Sequence, residues 1–158
     1  MSDPVPIVLE CPSVEGMMVD WGIDIGKASY LLPRQRYSLA SRHWVLGAFT
    51  EKWLELRKAW FSGFEEGAEV CFDYANLCAC HARKCHRDTP WHIPGTALLV
   101  GPFGYIPRNA PANTGHVQVA FGIYEGGEKT WLLYEPQGNP GEVMIAKTEV
   151  NTCTYFVG

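Results

Sequence analysis

One β-hairpin in the C-terminal half constrains the fold of this chain more than any other stretch. Residues 115–124 alternate between polar and apolar side chains, which is typical of a strand, and residues 130–135 read as the returning strand. The EGGE sequence at 125–128 is a hairpin signal with a two-residue turn. One face of this hairpin is apolar and is expected to pack on the core; its residues are Val117, Val119, Phe121, Leu132 and Tyr134.

The turn also sets the register of the two strands. If residue 125 pairs with residue 128, Gln118 lies opposite Glu135 and His116 lies opposite Gln137. Paired residues share a face, so His116, Glu135 and Gln137 project from the same side. His116 and Glu135 are diagonal neighbours, roughly 7–8 Å apart at the backbone, which long side chains can span. The hairpin therefore predicts an imidazole beside a carboxylate.

Two helices are predicted before the hairpin. The first has Ser41 as its N-cap and Gly63 as its stop, and a large apolar residue recurs every three or four positions at Leu46, Phe49, Trp53, Leu56 and Trp60. The second runs from about Cys71 to His86 and carries a narrow stripe of small side chains at Cys71, Ala75, Cys78, Ala82 and Cys85. Small side chains let a helix lie close to a sheet or to another helix.

The rest of the chain reads as an N-terminal arm and additional strands. Residues 1–30 form an arm with one or two short strands, 96–100 a strand, 101–114 a loop, and 142–146 and 152–157 two further strands. We expect one α+β domain over residues 1–158, with two N-terminal helices packed on a C-terminal antiparallel sheet.

Composition and charge exclude several classes of function. The chain has 158 residues, a formal net charge of −4 and a pI near 5.7, so it has no electrostatic footprint for nucleic acid or an anionic membrane. No apolar run approaches the roughly 20 residues of a spanning helix. The N-terminus lacks the features of a secretory signal, so we expect a cytoplasmic protein with reduced thiols.

Cys71 is the cysteine that is predicted at a helix start, where backbone N–H groups favour a thiolate. His116 can take the thiol proton, and Glu135 can orient His116 and stabilise its cation. Gln137 can either donate a hydrogen bond to an oxyanion or pair across the hairpin. A cysteine, a histidine and a glutamate in this order are chemically sufficient for nucleophilic catalysis.

A zinc site is a second interpretation of the cysteine-rich segment. Cys78, His81 and Cys85 lie on one helix face, and a fourth ligand would have to come from elsewhere in the chain, for example His92 or Cys153. The simpler alternative is that these cysteines are small residues in a close-packed helix.

Three short motifs resemble a known family. They are CFDYA at 71–75, Gly115-His116 and YEPQ at 134–137, and they are similar to the pattern C-D-D-F-A, G-H and E-P-Q. That pattern belongs to papain-like domains related to the protease domain of a mushroom agglutinin, and to small phage-encoded homologues. The resemblance covers roughly residues 30–140.

The resemblance implies a papain-like α+β fold and a cysteine peptidase or related acyl-transfer activity on a peptide or protein substrate. It makes Cys71 the nucleophile, His116 the base and Glu135 the orienting acid. We expect no required cofactor; the resemblance allows activation by calcium, with no ligands assigned, and suggests a phage-encoded protein in the host cytoplasm.

The chain departs from the family pattern at two places. Phe72 replaces an acidic residue, and Val117-Gln118 replaces the run that is usual after the histidine. These departures leave open a non-catalytic structural or binding protein that keeps the fold.

Overall fold

The computed structural model describes residues 7–61, 71–111 and 114–158. Its strands are β1 (Val8–Glu10), β2 (Ser29–Leu31), β3 (Arg36–Ser38), β4 (Ala97–Leu98), β5 (Val100–Tyr105), β6 (His116–Glu125), β7 (Glu128–Glu135), β8 (Gly141–Val143) and β9 (Tyr155–Val157). Its helices are α1 (Cys11–Trp21), α2 (Arg42–Trp44), α3 (Thr50–Trp60), α4 (Cys71–Arg87) and α5 (Lys147–Val150), and a π-helical turn, Val45–Phe49, joins α2 to α3. None of the helices in these ranges is long and apolar enough to cross a membrane.

The strands form one large sheet and one small sheet. The large sheet has the order β2-β9-β5-β6-β7-β8, and the small sheet has the order β1-β3-β4. The α+β class that the sequence predicts is confirmed. The prediction of an antiparallel sheet holds for every pairing of the large sheet except that of β2 with β9, which is parallel.

The hairpin of β6 and β7 has the predicted register. Glu125 pairs with Glu128, and the ladder continues to the pair of Val119 with Tyr134. Gly126 and Gly127 have φ values of 59° and 83°, which is the left-handed backbone that a two-residue hairpin turn of this hand requires. The glycine pair therefore fixes the register that the rest of the sheet follows.

The large sheet is buried on both faces. On one face Val119, Phe121 and Ile123 pack against α4 and α3. On the other face, Ala120 and Leu133 belong to a second core that includes α1. The expectation that one hairpin face packs on the core is thus incomplete, since the face that carries His116 also becomes buried along its length.

The second core explains the N-terminal segment. Residues 11–21, which the sequence assigns to an arm with short strands, form helix α1, although β1 and β2 are the short strands expected there. Trp131 Nε1 donates a hydrogen bond of 2.9 Å to the carbonyl of Met17, so α1 is tied to β7. The chain therefore has a helix, α1, before the two helices that the sequence predicts.

The first predicted helix starts where expected but packs differently. Ser41 accepts a hydrogen bond of 3.1 Å from the backbone N–H of Trp44, which confirms it as the N-cap. Leu46 and Trp60 are exposed, whereas Phe49 and Trp53 are fully buried. The π-helical turn fits an additional residue into one turn and rotates the buried face, which a regular 3.6-residue period does not foresee. The predicted stop at Gly63 lies outside the described residues.

Helix α4 agrees with its prediction. It begins at Cys71, and its small residues Ala75, Cys78 and Ala82 are fully buried against the sheet. Cys71 itself is half-buried. The small stripe lets the helix approach β5 and β6 closely. The ring of Phe72 lies 6.3 Å from that of Tyr155, which pairs with Gly104, so α4 starts near the end of β5 where Tyr105 pairs with His116.

The region between α4 and the hairpin contains a wrong prediction. Residues 100–105 form β5, in the interior of the large sheet, whereas the sequence predicts a strand that ends at Val100 and a loop from Gly101 onwards. Gly101 is needed for close packing rather than for a turn, since a Cβ there would lie 1.6 Å from the carbonyl oxygen of Val157. Of the two strands expected at the C-terminus, 142–146 shortens to β8 and 152–157 shortens to β9, and α5 lies between them.

We predict that Gly101→Ala destabilises the protein by at least about 2 kcal/mol, because the new methyl group overlaps backbone that cannot move freely. Gly16→Ala is the matched control: it lies inside α1 with nothing within 4 Å of the added Cβ, and it should stabilise by about 0.5–1 kcal/mol. Urea unfolding of both variants measures the difference. Equal stabilities for the two variants would contradict the close approach of β5 to β9.

Candidate active site

The end of the β6–β7 hairpin brings a histidine and a glutamate into contact. His116 Nε2 lies 3.0 Å from Glu135 Oε2. The two side chains are 29% and 22% exposed, so solvent reaches the pair but screens it only partly. This is the imidazole–carboxylate pair that the register predicts.

Glu135 is held in its ionised form. Burial by itself raises the pKa of this carboxyl group, but hydrogen bonds from His116, Gln118 and the backbone N–H of Gln137 outweigh burial and leave the pKa below 4.5. An ionised carboxylate can only accept, so Nε2 of His116 carries the proton that it donates to Glu135. Nδ1 is then the nitrogen of His116 whose lone pair can accept a proton from a nucleophile.

Two residues that the sequence does not assign to the site extend this pair. Gln118 Nε2 donates to Glu135 Oε2 over 2.6 Å, and Tyr105 Oη donates to Gln118 Oε1 over 3.0 Å. Burial, and then the charges of Glu149 and Glu135, raise the pKa of Tyr105 to about 12, so it remains a donor at neutral pH. The predicted register could have identified Gln118, because it sets Gln118 opposite Glu135. Tyr105 could not be identified in this way, because it lies in the segment that the sequence predicts to be a loop.

The segment after Glu135 is fixed by helix α3. Trp53 Nε1 and Arg57 Nη1 both donate to the carbonyl of Pro136, over 2.9 and 2.8 Å. A second nitrogen of Arg57 donates to the carbonyl of Gly138 over 2.9 Å. Gln137 contributes its backbone, whose N–H lies 2.9 Å from Glu135 Oε1. These bonds fix the backbone that follows Glu135, and the last of them fixes its carboxylate.

Cys71 lies near the same end of the sheet, beside Tyr155 of β9. The ring of Tyr155 lies over Gly104 on β5, at a distance that leaves no room for a side chain there. A Cβ added to Gly104 would be only 2.6 Å from Tyr155 Cε1. Gly104 is paired with Val117, the neighbour of His116. Burial, and then the negative charges of Cys71 and Cys153, raise the pKa of Tyr155 to about 12. Cys71 thus has the partly buried phenol of Tyr155 near it, which the sequence does not indicate.

Cys71 and His116 belong to different elements, α4 and β6. Helix α4 packs on the face of Val117 and Val119, whereas His116 follows the face of Gln118 and Ala120. Within the described ranges, Cys71 Sγ makes no hydrogen bond to His116. The structure brings His116, Glu135 and the backbone of Gln137 together, and it places Cys71 at the same end of the sheet.

Of the other cysteines of α4, Cys78 and Cys85 are packed into the core, whereas Cys80 is exposed. Burial raises the pKa of Cys78 well above its ordinary value and also raises the pKa of Cys85. Cys85 Sγ lies 3.4 Å from His81 Nε2, so these two side chains form a hydrogen-bonded pair. In the part of the chain that the structure describes, no group of three or more histidine, cysteine, aspartate or glutamate side chains is positioned to hold a metal ion.

No protein-family model and no curated protein matches this chain. Among solved structures it is similar to one described as "PSL1a-E64 complex", with a TM-score of 0.64 and 14% sequence identity. The match covers 96% of this chain and 50% of the other, so this chain spans about half the length of that one. At this identity the likeness concerns the fold alone.

We predict that Glu135→Gln destabilises the protein more at pH 7 than at pH 3. The pKa of Glu135 is below 4.5 in the folded state, so its contribution is present above about pH 4.5 and is lost as pH falls through the folded pKa. Urea unfolding at both pH values measures the loss, with the exposed hairpin residue Glu128→Gln as the control. The same loss at both pH values would contradict an ionised, hydrogen-bonded Glu135.

Proposed function

We propose that this chain is a papain-like cysteine hydrolase or acyl-transfer enzyme that acts on an amide bond of a peptide or protein. The observation that carries the proposal is the contact between His116 and an ionised Glu135. It holds the imidazole in the tautomer that a cysteine nucleophile needs, at the end of the sheet where α4 begins with a half-buried thiol.

The proposed reaction begins with transfer of the Cys71 proton to Nδ1 of His116. The thiolate attacks the carbonyl carbon of the substrate, and the negative charge of Glu135 stabilises the imidazolium that has formed. The C–N bond then breaks, and His116 returns the proton to the leaving amine, which leaves a thioester on Cys71. A water molecule or an acceptor amine gives a proton to His116 and attacks the thioester, and the proton goes back to the thiolate.

The fold likeness to PSL1a supports this choice of chemistry and supplies a probe. That protein was solved in complex with E64. As a reagent, E64 carries an epoxide that alkylates thiolates, so we expect it to react with Cys71 here. We place the reaction in the cytoplasm, where the thiols stay reduced. Assays with added calcium and with a chelator test the calcium activation that the family resemblance allows.

A non-catalytic binding protein is the second candidate, and one observation favours it. The side chains of Tyr105, Gln118, Glu135 and His116 form a continuous hydrogen-bonded chain without Cys71. Such a chain can serve simply to satisfy buried polar groups at the end of the sheet. The two candidates differ in whether His116 controls the reactivity of Cys71.

We predict that Cys71 reacts with iodoacetamide and with E64 at pH 6 at least about tenfold faster than Cys80. Cys80 is a demanding internal reference because it is more exposed than Cys71, and Arg83 Nη1 lies 4.0 Å from its sulfur. Accessibility alone would therefore favour Cys80. Quantitative peptide mapping after short labelling measures both rates. Faster labelling of Cys80 would contradict an activated Cys71.

We predict that His116→Ala lowers the labelling rate of Cys71 at pH 6 by about 10²-fold, the usual scale of a general base, and leaves Cys80 unchanged. His43→Ala, a substitution of an exposed histidine in α2, is the matched control and should change neither rate. If the His116 variant stays folded by circular dichroism and Cys71 keeps its rate, the non-catalytic candidate is correct.

A further inference from the structure

A strongly basic cavity lies at the C-terminal end of α4, away from the candidate active site. Its volume is about 640 Å³, and it is bounded by α4, the segment around β3 and the segment before β4. Five cationic side chains line it: Arg34, Arg36, Arg83, Lys84 and Arg87. The described residues that line it include no carboxylate. This is a local excess of positive charge in a chain whose net charge is −4.

The positive charge in this cavity is largely uncompensated. Lys84 Nζ forms an ion pair of 3.2 Å with Asp88. None of the four arginines has a carboxylate oxygen within 4.0 Å in the part of the chain that the structure describes. Clustered guanidinium groups repel one another, so an arrangement of this kind is stabilised by a bound anion.

A buried histidine in the wall independently indicates a ligand. His86 is only 2% exposed, and neither of its ring nitrogens has a hydrogen-bond partner within the described ranges. Nδ1 of the neighbouring His92 is also buried without a partner. Burial, and then the charge of His92, lower the pKa of His86 to about 4, so at neutral pH it keeps one N–H donor. Such buried donors normally have a partner.

The dipole of α4 does not account for the whole cluster. Lys84 and Arg87 lie in the last turn of the helix, where cations are favoured. Arg83 donates to the carbonyl of Val100 and so has a structural role as well. Arg34 and Arg36 come from a different part of the chain, before and within β3, and yet they face the same cavity.

We propose that this cavity binds a small molecule that carries two or more phosphate groups. The guanidinium group is a planar fork of donors that matches a phosphate group. Two phosphate groups carry roughly three to four negative charges, which balances the four unpaired arginines. The volume falls within the range of small-molecule sites, about 300–1,000 Å³.

The proposed site is separate from the candidate active site on the same helix. Cys71 and Arg83 are twelve positions apart on α4, which is about 18 Å at 1.5 Å per residue. Ligand binding here can therefore be tested with Cys71 replaced, and the two proposals succeed or fail independently.

The test is a titration of the full chain with pyrophosphate at low ionic strength. Calorimetry measures the affinity, and the NMR signals of the His86 ring report on the site. We expect binding that Arg36→Gln/Arg87→Gln weakens by about tenfold or more, since each lost guanidinium removes charge-assisted hydrogen bonds. Lys58→Gln/Lys129→Gln removes the same charge from exposed positions elsewhere and should leave the affinity within about twofold. Cys71→Ala should bind like the original chain.

Three results would overturn the proposal. One is the absence of pyrophosphate binding at low ionic strength by a protein that circular dichroism shows to be folded. Another is an equal loss of affinity in both double variants, which would mean general charge attraction. The third is tighter binding of a single-stranded oligonucleotide than of pyrophosphate, which would assign the cavity to a nucleic acid. A shift of the His86 signals on titration supports the site directly.

Discussion

The antiparallel pairing of β6 with β7 is the interaction on which the rest of this structure depends. Its register assigns alternate residues to two different cores, one under α4 and one under α1. A slip by one residue would exchange the two sets and bury the polar residues under α4. The same register sets His116 and Gln118 beside Glu135, so stability and the candidate site have a common origin.

Hydrogen bonds from two sides fix the glutamate of the candidate site. Arg57 and Trp53 hold the chain after Glu135 from the α3 side, and Gln118 holds the carboxylate from the sheet. A carboxylate that accepts several hydrogen bonds stays ionised and keeps the imidazole in one tautomer. The thiol belongs to a different element, α4, which packs on the sheet through small side chains. The mutual position of Cys71 and His116 therefore depends on helix–sheet packing rather than on the hairpin.

Sequence reasoning was most successful where local chemistry determines structure. The glycine pair of the turn, the alternation along β6 and the small-residue stripe of α4 each have one dominant physical cause, and the contact between His116 and Glu135 follows from them. It failed where tertiary packing decides. The VGPFGY segment becomes the interior strand β5 because its glycines allow close approach to β9, and the π-helical turn at 45–49 moves the buried face of the first long helix. Arg34 and Arg36 show no pattern that predicts a shared cavity with Arg83.

Cys71 and His116 are the proposed catalytic partners at the end of the sheet, and cross-linking tests that relation most directly. In the reagent 1,3-dibromoacetone, a thiolate displaces one bromide and an imidazole nitrogen displaces the other. The three-carbon bridge that then joins the two side chains spans about 5 Å. Peptide mapping of the treated protein should identify one cross-linked species that joins Cys71 to His116. Cys71 alkylated without a link to His116, in protein that remains folded, would contradict the central claim.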